Sequence, residues 1–462
     1  YNTLGMMDAK VRASKLGKRV VNFVSVAAFI CLFLFAGNIA SLILGDLQGG
    51  NTISDVAFVI RCVSFAILVI PFLSISKGYL QGHNIINVSS ISQVIEQVVR
   101  IAVILGGSYI ALNIFHLSLT TSVGIAVFGA FCGGIAAILY IVKNMRKHKE
   151  ELSFTGNIKK DDISDSEIIK KILSYAIPFI IIDVGVSVYN FVDMVLISRT
   201  MVHLGFDAAT TEFITSSVSA WAGKINMVVN AIAMGLTVSL IPNIVEAFTL
   251  KKWNLVESRL NKALQIIIVT CVPMVLGISL LSKPIWGIFY GIEELSLGGL
   301  VLGVYIFIAL FFNIYMVTSS TLQSLNKFKA VYLTTLLGYL TNAFLDVPLM
   351  LLCHVLGLEP FIGAVMASIL GYSLSAISTL VLLNKEHKLK YNETFKVMFK
   401  ILLPTIMMVL VVVLLKLVIP INYMSRLSSI IYVTVISIIG SLVYLFITYK
   451  MGILTLVFGK EY

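Results

Sequence analysis

The stretch YLQGHNIINVSSISQVIEQVVR at residues 79–100 has a counterpart, TLQSLNKFKAVYLTTLLGYLTN, at residues 321–342. Under a shift of 242, Leu80 meets Leu322, Gln81 meets Gln323 and Asn84 meets Asn326. A weaker match under a shift of 247 pairs Arg12 with Arg259 and Lys15 with Lys262, so an indel of five residues separates the two registers. Self-similarity at a fixed long spacing marks two copies of one structural unit in a single chain.

The unit belongs in a membrane. The 462 residues are 58% hydrophobic and only 12% charged, and the mean hydropathy is +0.97, well outside the range of a soluble domain. The apolar runs are long enough to cross a hydrocarbon core as helices of about 20 residues. They lack the short alternating segments of a β-barrel. The expected spans are 20–44, 56–77, 91–113, 120–142, 173–197, 218–244, 263–282, 299–320, 331–353, 361–383, 398–419 and 427–449. Connections on one side hold 27 of the 34 Lys and Arg residues, whereas the opposite side holds only Arg199, Lys283 and Arg426. The positive-inside bias predicts that both ends of the chain are cytoplasmic. It also accounts for most of the net charge of +11, which leaves nucleic acid without a motive as a partner. The five cysteines all lie in apolar runs and form no disulfide or metal pattern, and the six histidines lack metal-ligand spacing. His83 follows a glycine and reads as a turn residue.

The fold class expected is an all-α integral membrane protein with two parallel, pseudo-symmetric six-helix lobes and two extra C-terminal helices. Both matches keep one side of the membrane, which predicts a pseudo-twofold axis along the membrane normal. The expected divisions are an N-terminal lobe at 1–142, a charged cytoplasmic linker at 143–171, a C-terminal lobe at 172–383, and the extra helices with a tail at 384–462. The second copy spends two helices before it reaches the counterpart of Tyr1. The expectation is therefore that roughly 80 residues with two further helices precede this sequence, giving fourteen in all. Pro71, Pro178, Pro242, Pro273 and Pro404, with glycines such as Gly106, Gly107, Gly133, Gly134 and Gly371, allow helices to bend or pack closely.

An ionisable group at the centre of a membrane helix costs about 2.5–3.5 kcal/mol on insertion scales, so it tends to face protein or a wet cavity. The candidates are Arg61, Glu96, Arg100, Asp183, Asp193, Lys224, Asp346 and Lys416. Glu96 and Arg100 stand four apart on one helix face, and two readings of them stand side by side. They form a structural ion pair, or Glu96 orients Arg100 toward an anionic ligand. The second copy has Asn342 opposite Arg100 and Gly303 opposite Arg61, and this asymmetry in buried charge suggests an asymmetric ligand. Asp183 or Asp193 can pair with Lys224, and Lys416 lies near a helix end where it can snorkel. The Asp residues are also candidate cation or proton sites. No Walker A motif occurs, so any energy must come from an ion gradient or the membrane potential, and no cofactor is expected.

The stretches GYLQGHNIINVSSISQVIEQVVRI (78–101), YNTLGMMDAKVRASK (1–15), SYAIPFIIIDVGVSVYNFVDMVLI (174–197) and MGLTVSLIPNIVEAF (234–248) resemble the multidrug/oligosaccharidyl-lipid/polysaccharide exporter superfamily. Within it the chain resembles the MurJ-like lipid II flippases of Gram-positive type, with the SpoVB-like branch close by. The resemblance implies translocation of an undecaprenyl-diphosphate-linked peptidoglycan precursor, lipid II, from the inner to the outer leaflet by alternating access. It implies that Arg61 and Arg100 serve the diphosphate in a cationic cavity, with Lys224 a further headgroup candidate. Glu96, Asp183, Asp193 and Asp346 are the orienting or ion-coupling candidates, with a monovalent cation or the membrane potential as the driving force. It implies an apolar groove for the lipid tail to which the two extra helices contribute. The implied setting is the bacterial cytoplasmic membrane, a monomer among membrane lipids, with cell-wall synthesis enzymes as partners. The rival functions are a flippase for another undecaprenyl-linked polysaccharide repeat unit, a cation-coupled drug exporter, and a non-transporting cell-wall scaffold.

Overall fold

A computed structural model describes residues 7–44, 51–81, 85–147, 164–420 and 425–458; within them, the side chains of 7, 9, 10, 86, 171, 174–183, 185, 186, 237–243 and 249 are outside the described set. Helices fill nearly all of it, with no strand among the described residues. In chain order they are α1 (Met7–Leu34), α2 (Ala36–Leu44), α3 (Ile53–Gln81), α4 (Ile86–Ala102), α5 (Leu119–Lys147), α6 (Asp165–His203), α7 (Ala208–Ser216), α8 (Ala222–Thr249) and α9 (Trp253–Leu280). Then come α10 (Ser282–Tyr290), α11 (Leu295–Tyr305), α12 (Ile308–Ser324), α13 (Phe328–Val355), α14 (Phe361–His387), α15 (Asn392–Lys400), α16 (Leu402–Val418), α17 (Arg426–Lys450) and α18 (Ile453–Phe458). Ten stretches among the described residues are long and apolar enough to cross a membrane, and they coincide with ten of the twelve expected spans. The other two expected spans fall in α6 and α8, where several side chains are outside the described set.

The chain divides into two compact units, Tyr1–Ile180 and Ile181–Tyr462. Their helices repeat in order. Met7 and Ala36 start α1 and α2, and 246 residues later Trp253 and Ser282 start α9 and α10; Ile53, Ile86 and Leu119 stand 242 before Leu295, Phe328 and Phe361. The first spacing, 246, lies within a residue of the 247 read from Arg12 and Lys15. The change of register falls between α2 and α3.

The strongest sequence match is the corner between two helices. Ile85 N donates to Leu80 O at 3.0 Å, and Lys327 N, its counterpart, donates to Leu322 O at 2.9 Å. That six-to-one bond is the Schellman closure of a helix C-terminus. Asn326 takes φ +59°, a left-handed conformation that asparagine tolerates because its short amide bonds locally; Asn84 and His83 lie outside the described residues.

Small residues set the helix spacing. A Cβ on Gly133 of α5 would stand 2.5 Å from Glu96 O of α4, and one on Gly371 of α14 would stand 2.7 Å from Gly338 O of α13. Hydrophobic area does not discriminate one helix pairing from another in lipid, so such backbone proximity matters more there. Pro71, Pro273 and Pro348 lie inside α3, α9 and α13, where each removes an intrahelical hydrogen bond. The ends depart from expectation. The 143–171 linker is helical at both edges, since α5 runs to Lys147 and α6 starts at Asp165, and 148–163 lie outside the described residues. The connection after 282 contains a helix, α10, which closes at Gly291 with φ +94°, a conformation glycine adopts without a Cβ clash.

Candidate functional site

In the first unit, Glu96 is 7% exposed and is held from two sides. Arg100 Nη2 donates to Glu96 Oε1 at 2.6 Å, and Lys77 Nζ from α3 donates to Glu96 Oε2 at 2.9 Å. Arg100 Nη1 donates to Gln97 Oε1 at 3.1 Å, while its buried Nε has no hydrogen-bond partner. The expected i,i+4 pair is therefore a triad with one net positive charge. Lys77 escaped the sequence reading because it reaches Glu96 from another helix, 19 residues away in the chain. Arg61 is exposed; its Nε makes only a 3.4 Å contact with Phe33 O, and its guanidinium stands 5.8 Å from the Phe33 ring. Much of the Arg61 donor fork is unspent.

Glu96→Ala is expected to leave Lys77 and Arg100 facing one another without their shared anion. Removing one partner of a largely buried charge network costs about 3 kcal/mol, so thermal unfolding of the purified protein should begin at a clearly lower temperature. An unchanged unfolding temperature would show that the triad contributes nothing to the fold.

The second unit holds the acidic residues. Asp193 of α6 is 7% exposed and Asp346 of α13 is fully buried, and a chain of polar side chains links them. Ser368 Oγ of α14 donates to Asp193 Oδ2 at 3.2 Å and accepts from Asn342 Nδ2 at 3.1 Å; Asn342 Nδ2 also reaches Asp346 Oδ1 at 3.4 Å. Asp193 thus accepts from Ser368, and no ion pair joins it to Lys224 among the described residues. The side chain of Asp183 lies outside the described residues. Asn342, the repeat counterpart of Arg100, is the amide that ties the acids together. The position that carries a cation in one copy serves an anion pair in the other.

Asp193 Oδ1, Asp346 Oδ2 and Asn342 Oδ1 are buried without a hydrogen-bond partner. Two carboxylates in contact, away from water, need a proton or a cation between them. Oxygens of this kind suit a proton or a small hard cation better than a soft metal. Asp193 also lines a cavity of about 390 Å³ with Lys224, Asn226, Asn230 and Tyr305. Lys224 is exposed and sits at that cavity, which makes it available to an anionic ligand.

The backbone adds a feature the sequence did not show. A π-helical turn, Val103–Gly107, starts three residues after Arg100, and another, Ser217–Trp221, ends three residues before Lys224. Such turns re-aim side chains and recur at functional sites. Lys416 is a helix-end residue, donating to Leu280 O at 2.5 Å at the C-terminus of α9. A groove of about 390 Å³ between α9, α16 and α17 is lined by Pro273, Met408, Val412, Ile436 and Gly440, and Tyr444 donates to Val269 O at its wall.

Residues 8–233 match a family described as polysaccharide biosynthesis protein, and residues 178–347 match the MatE family. The chain is 31% identical over 85% of its length to the lipid II flippase MurJ of Bacillus subtilis (strain 168), covering 72% of that protein. It is 23% identical over 72% of its length to stage V sporulation protein B of the same organism, covering 61% of it. Among solved structures it superimposes on the lipid II flippase MurJ in an inward closed conformation with a TM-score of 0.68 at 18% identity, covering 95% of this chain and 84% of that one. An inward-facing multidrug resistance MATE family transporter gives a TM-score of 0.59 at 15% identity, with 83% and 88% covered. The fold is therefore the all-α transporter fold expected, and the chain belongs to the family of the lipid II flippase MurJ.

Proposed function

We propose that this protein is a transporter, not an enzyme, that carries lipid II from the inner to the outer leaflet of the bacterial membrane by alternating access. The observation that carries the reading is the 31% identity over 85% of the chain to a lipid II flippase. A diphosphate cannot cross hydrocarbon unaided, and a guanidinium offers it bidentate, charge-assisted hydrogen bonds. Arg100 is held by Glu96, and Lys77 holds the same carboxylate. When a diphosphate draws Arg100 away, Glu96 stays neutralised by Lys77, so the exchange strands no buried charge. Arg61, with its open fork, supplies further positive charge within the first unit, and Lys224 lines a cavity of the second. The groove beside α16 and α17 takes the polyprenyl tail, which needs only apolar walls.

The energy source in this reading is a monovalent cation or proton bound between Asp193 and Asp346. The ligand set is oxygen only, and desolvated acids favour whichever small cation enters. The chain termini face the cytoplasm, on the side where Lys and Arg cluster, and cell-wall synthesis enzymes receive the exported precursor.

Arg100→Ala is expected to lower lipid II binding to the purified protein by at least about tenfold, since a charge-assisted bidentate contact is worth about 1.5–3 kcal/mol. The assay compares lipid II with an undecaprenyl-diphosphate that carries a different glycan. Equal binding of lipid II by wild type and Arg100→Ala would contradict the role of the guanidinium. Preference for the other glycan would move the substrate to another cell-surface polymer.

A further inference from the structure

The break between α9 and α10 opens a second cavity, separate from the acidic pair and from the apolar groove. It has a volume of about 460 Å³, and its walls come from Ser279, Ser282 and Lys283 on one side and from Ser296, Gly299, Leu300, Gly303, Val304 and Phe307 on the other. The second set falls at i, i+3, i+4, i+7, i+8 and i+11, a single stripe along α11 and its continuation. That stripe is polar at Ser296 and apolar from Leu300 to Phe307. At 1.5 Å per residue it runs about 16 Å, close to half of a hydrocarbon core about 30 Å thick.

The polar end is built for an anion. Ser282 is more than nine-tenths buried, lines the cavity and makes no side-chain hydrogen bond. Lys283 is exposed and has no ion pair. Lys416 brings a second ammonium to the same helix break, where its Nζ donates to Leu280 O. Two glycines let α11 pack closely against the start of α10. A Cβ on Gly299 would stand 2.6 Å from Lys283 Cγ, and one on Gly303 would stand 3.0 Å from Ser282 Oγ. Gly303 is the repeat counterpart of Arg61, so the position that carries a cationic side chain in one copy is a close helix contact in the other.

We infer that this groove binds one anionic phospholipid from the surrounding leaflet, with its phosphate on Lys283 and Ser282 and one acyl chain along Leu300, Val304 and Phe307. Charge complementarity selects the anionic headgroup, and the stripe from Ser296 to Phe307, polar end included, spans about the depth of one leaflet. The inference rests on the membrane-spanning fold and stands apart from the choice of transported substrate.

The test is native mass spectrometry of the purified full-length protein, released from nanodiscs of equimolar phosphatidylglycerol and phosphatidylcholine. Wild type is expected to retain one phosphatidylglycerol over phosphatidylcholine by about tenfold, the effect of one charge-assisted contact. Lys283→Gln is expected to remove that preference and Lys283→Arg to keep it. Equal retention of both lipids by wild type, or an undiminished preference in Lys283→Gln, overturns the inference. Should Lys283→Gln fail to fold, the wild-type ratio and Ser282→Ala, expected to weaken the preference about threefold, decide the matter. Displacement of phosphatidylglycerol by undecaprenyl phosphate, at a much lower concentration, would overturn the assigned occupant.

Discussion

Asp346→Asn is expected to reduce transport to background, at least about 100-fold, while the protein becomes no less stable. Asparagine keeps the shape of the side chain and removes the charge. Asp346 is fully buried beside Asp193, with Asn342 and Ser368 supplying the remaining contacts. An uncompensated buried carboxylate is costly, so a residue that served only the fold would be improved by neutral replacement. A residue that holds the driving cation would be ruined by it. The same variant separates the two roles because stability and transport move in different directions. Added Na⁺ should raise the unfolding temperature of wild type by mass action on the folded state and leave Asp346→Asn unmoved. Transport at the wild-type rate by Asp346→Asn would remove the acidic pair from the coupling mechanism.

Gly363→Ala is expected to destabilise the second unit by about 3 kcal/mol, the upper part of the usual range for overpacking. The new Cβ would lie 2.3 Å from both Leu349 C and Met350 N. Those are backbone atoms of α13, one and two residues after Pro348, and no rotamer change can clear them. The packing of α14 on α13, which carries Ser368 to Asp193 and Asn342, would have to shift. Gly37→Ala is the control, because its Cβ would meet nothing within 4 Å and alanine favours a helix by about 1 kcal/mol over glycine. Thermal unfolding of the two variants checks the contrast, and equal behaviour would show that the α13–α14 contact tolerates more than its geometry suggests.

The two-copy organisation was legible in the sequence because its matched residues are backbone devices. The Leu80 and Leu322 carbonyls close the same corner in both copies, and an asparagine in the left-handed region leaves a readable letter. The extra helix α10 was missed because nine residues with Pro284 and Lys283 have no span-like hydropathy.

The candidate site was legible as a set of residues but not as a set of partners. Rarity of charge in apolar runs singled out Glu96, Arg100, Asp193 and Asp346. Pairing along one helix gave Glu96 with Arg100, because i,i+4 geometry is local. Lys77 with Glu96, and Asp193 with Asp346, cross between helices, and a single sequence does not carry such contacts. Ser368 and Asn342 are uncharged and gave no hydropathy signal. The π turns beside Arg100 and Lys224 have no compositional mark at all.

The most direct test of the proposed transport is the exposure of lipid II at the outer face of cells depleted of their own flippase, read with an added enzyme that cleaves only outward-facing headgroup. Expression of the full-length protein is expected to restore cleavage, and Arg100→Ala at equal membrane abundance to leave it at the depleted level. Correct insertion of the wild-type protein without any restored cleavage would contradict lipid II as its cargo.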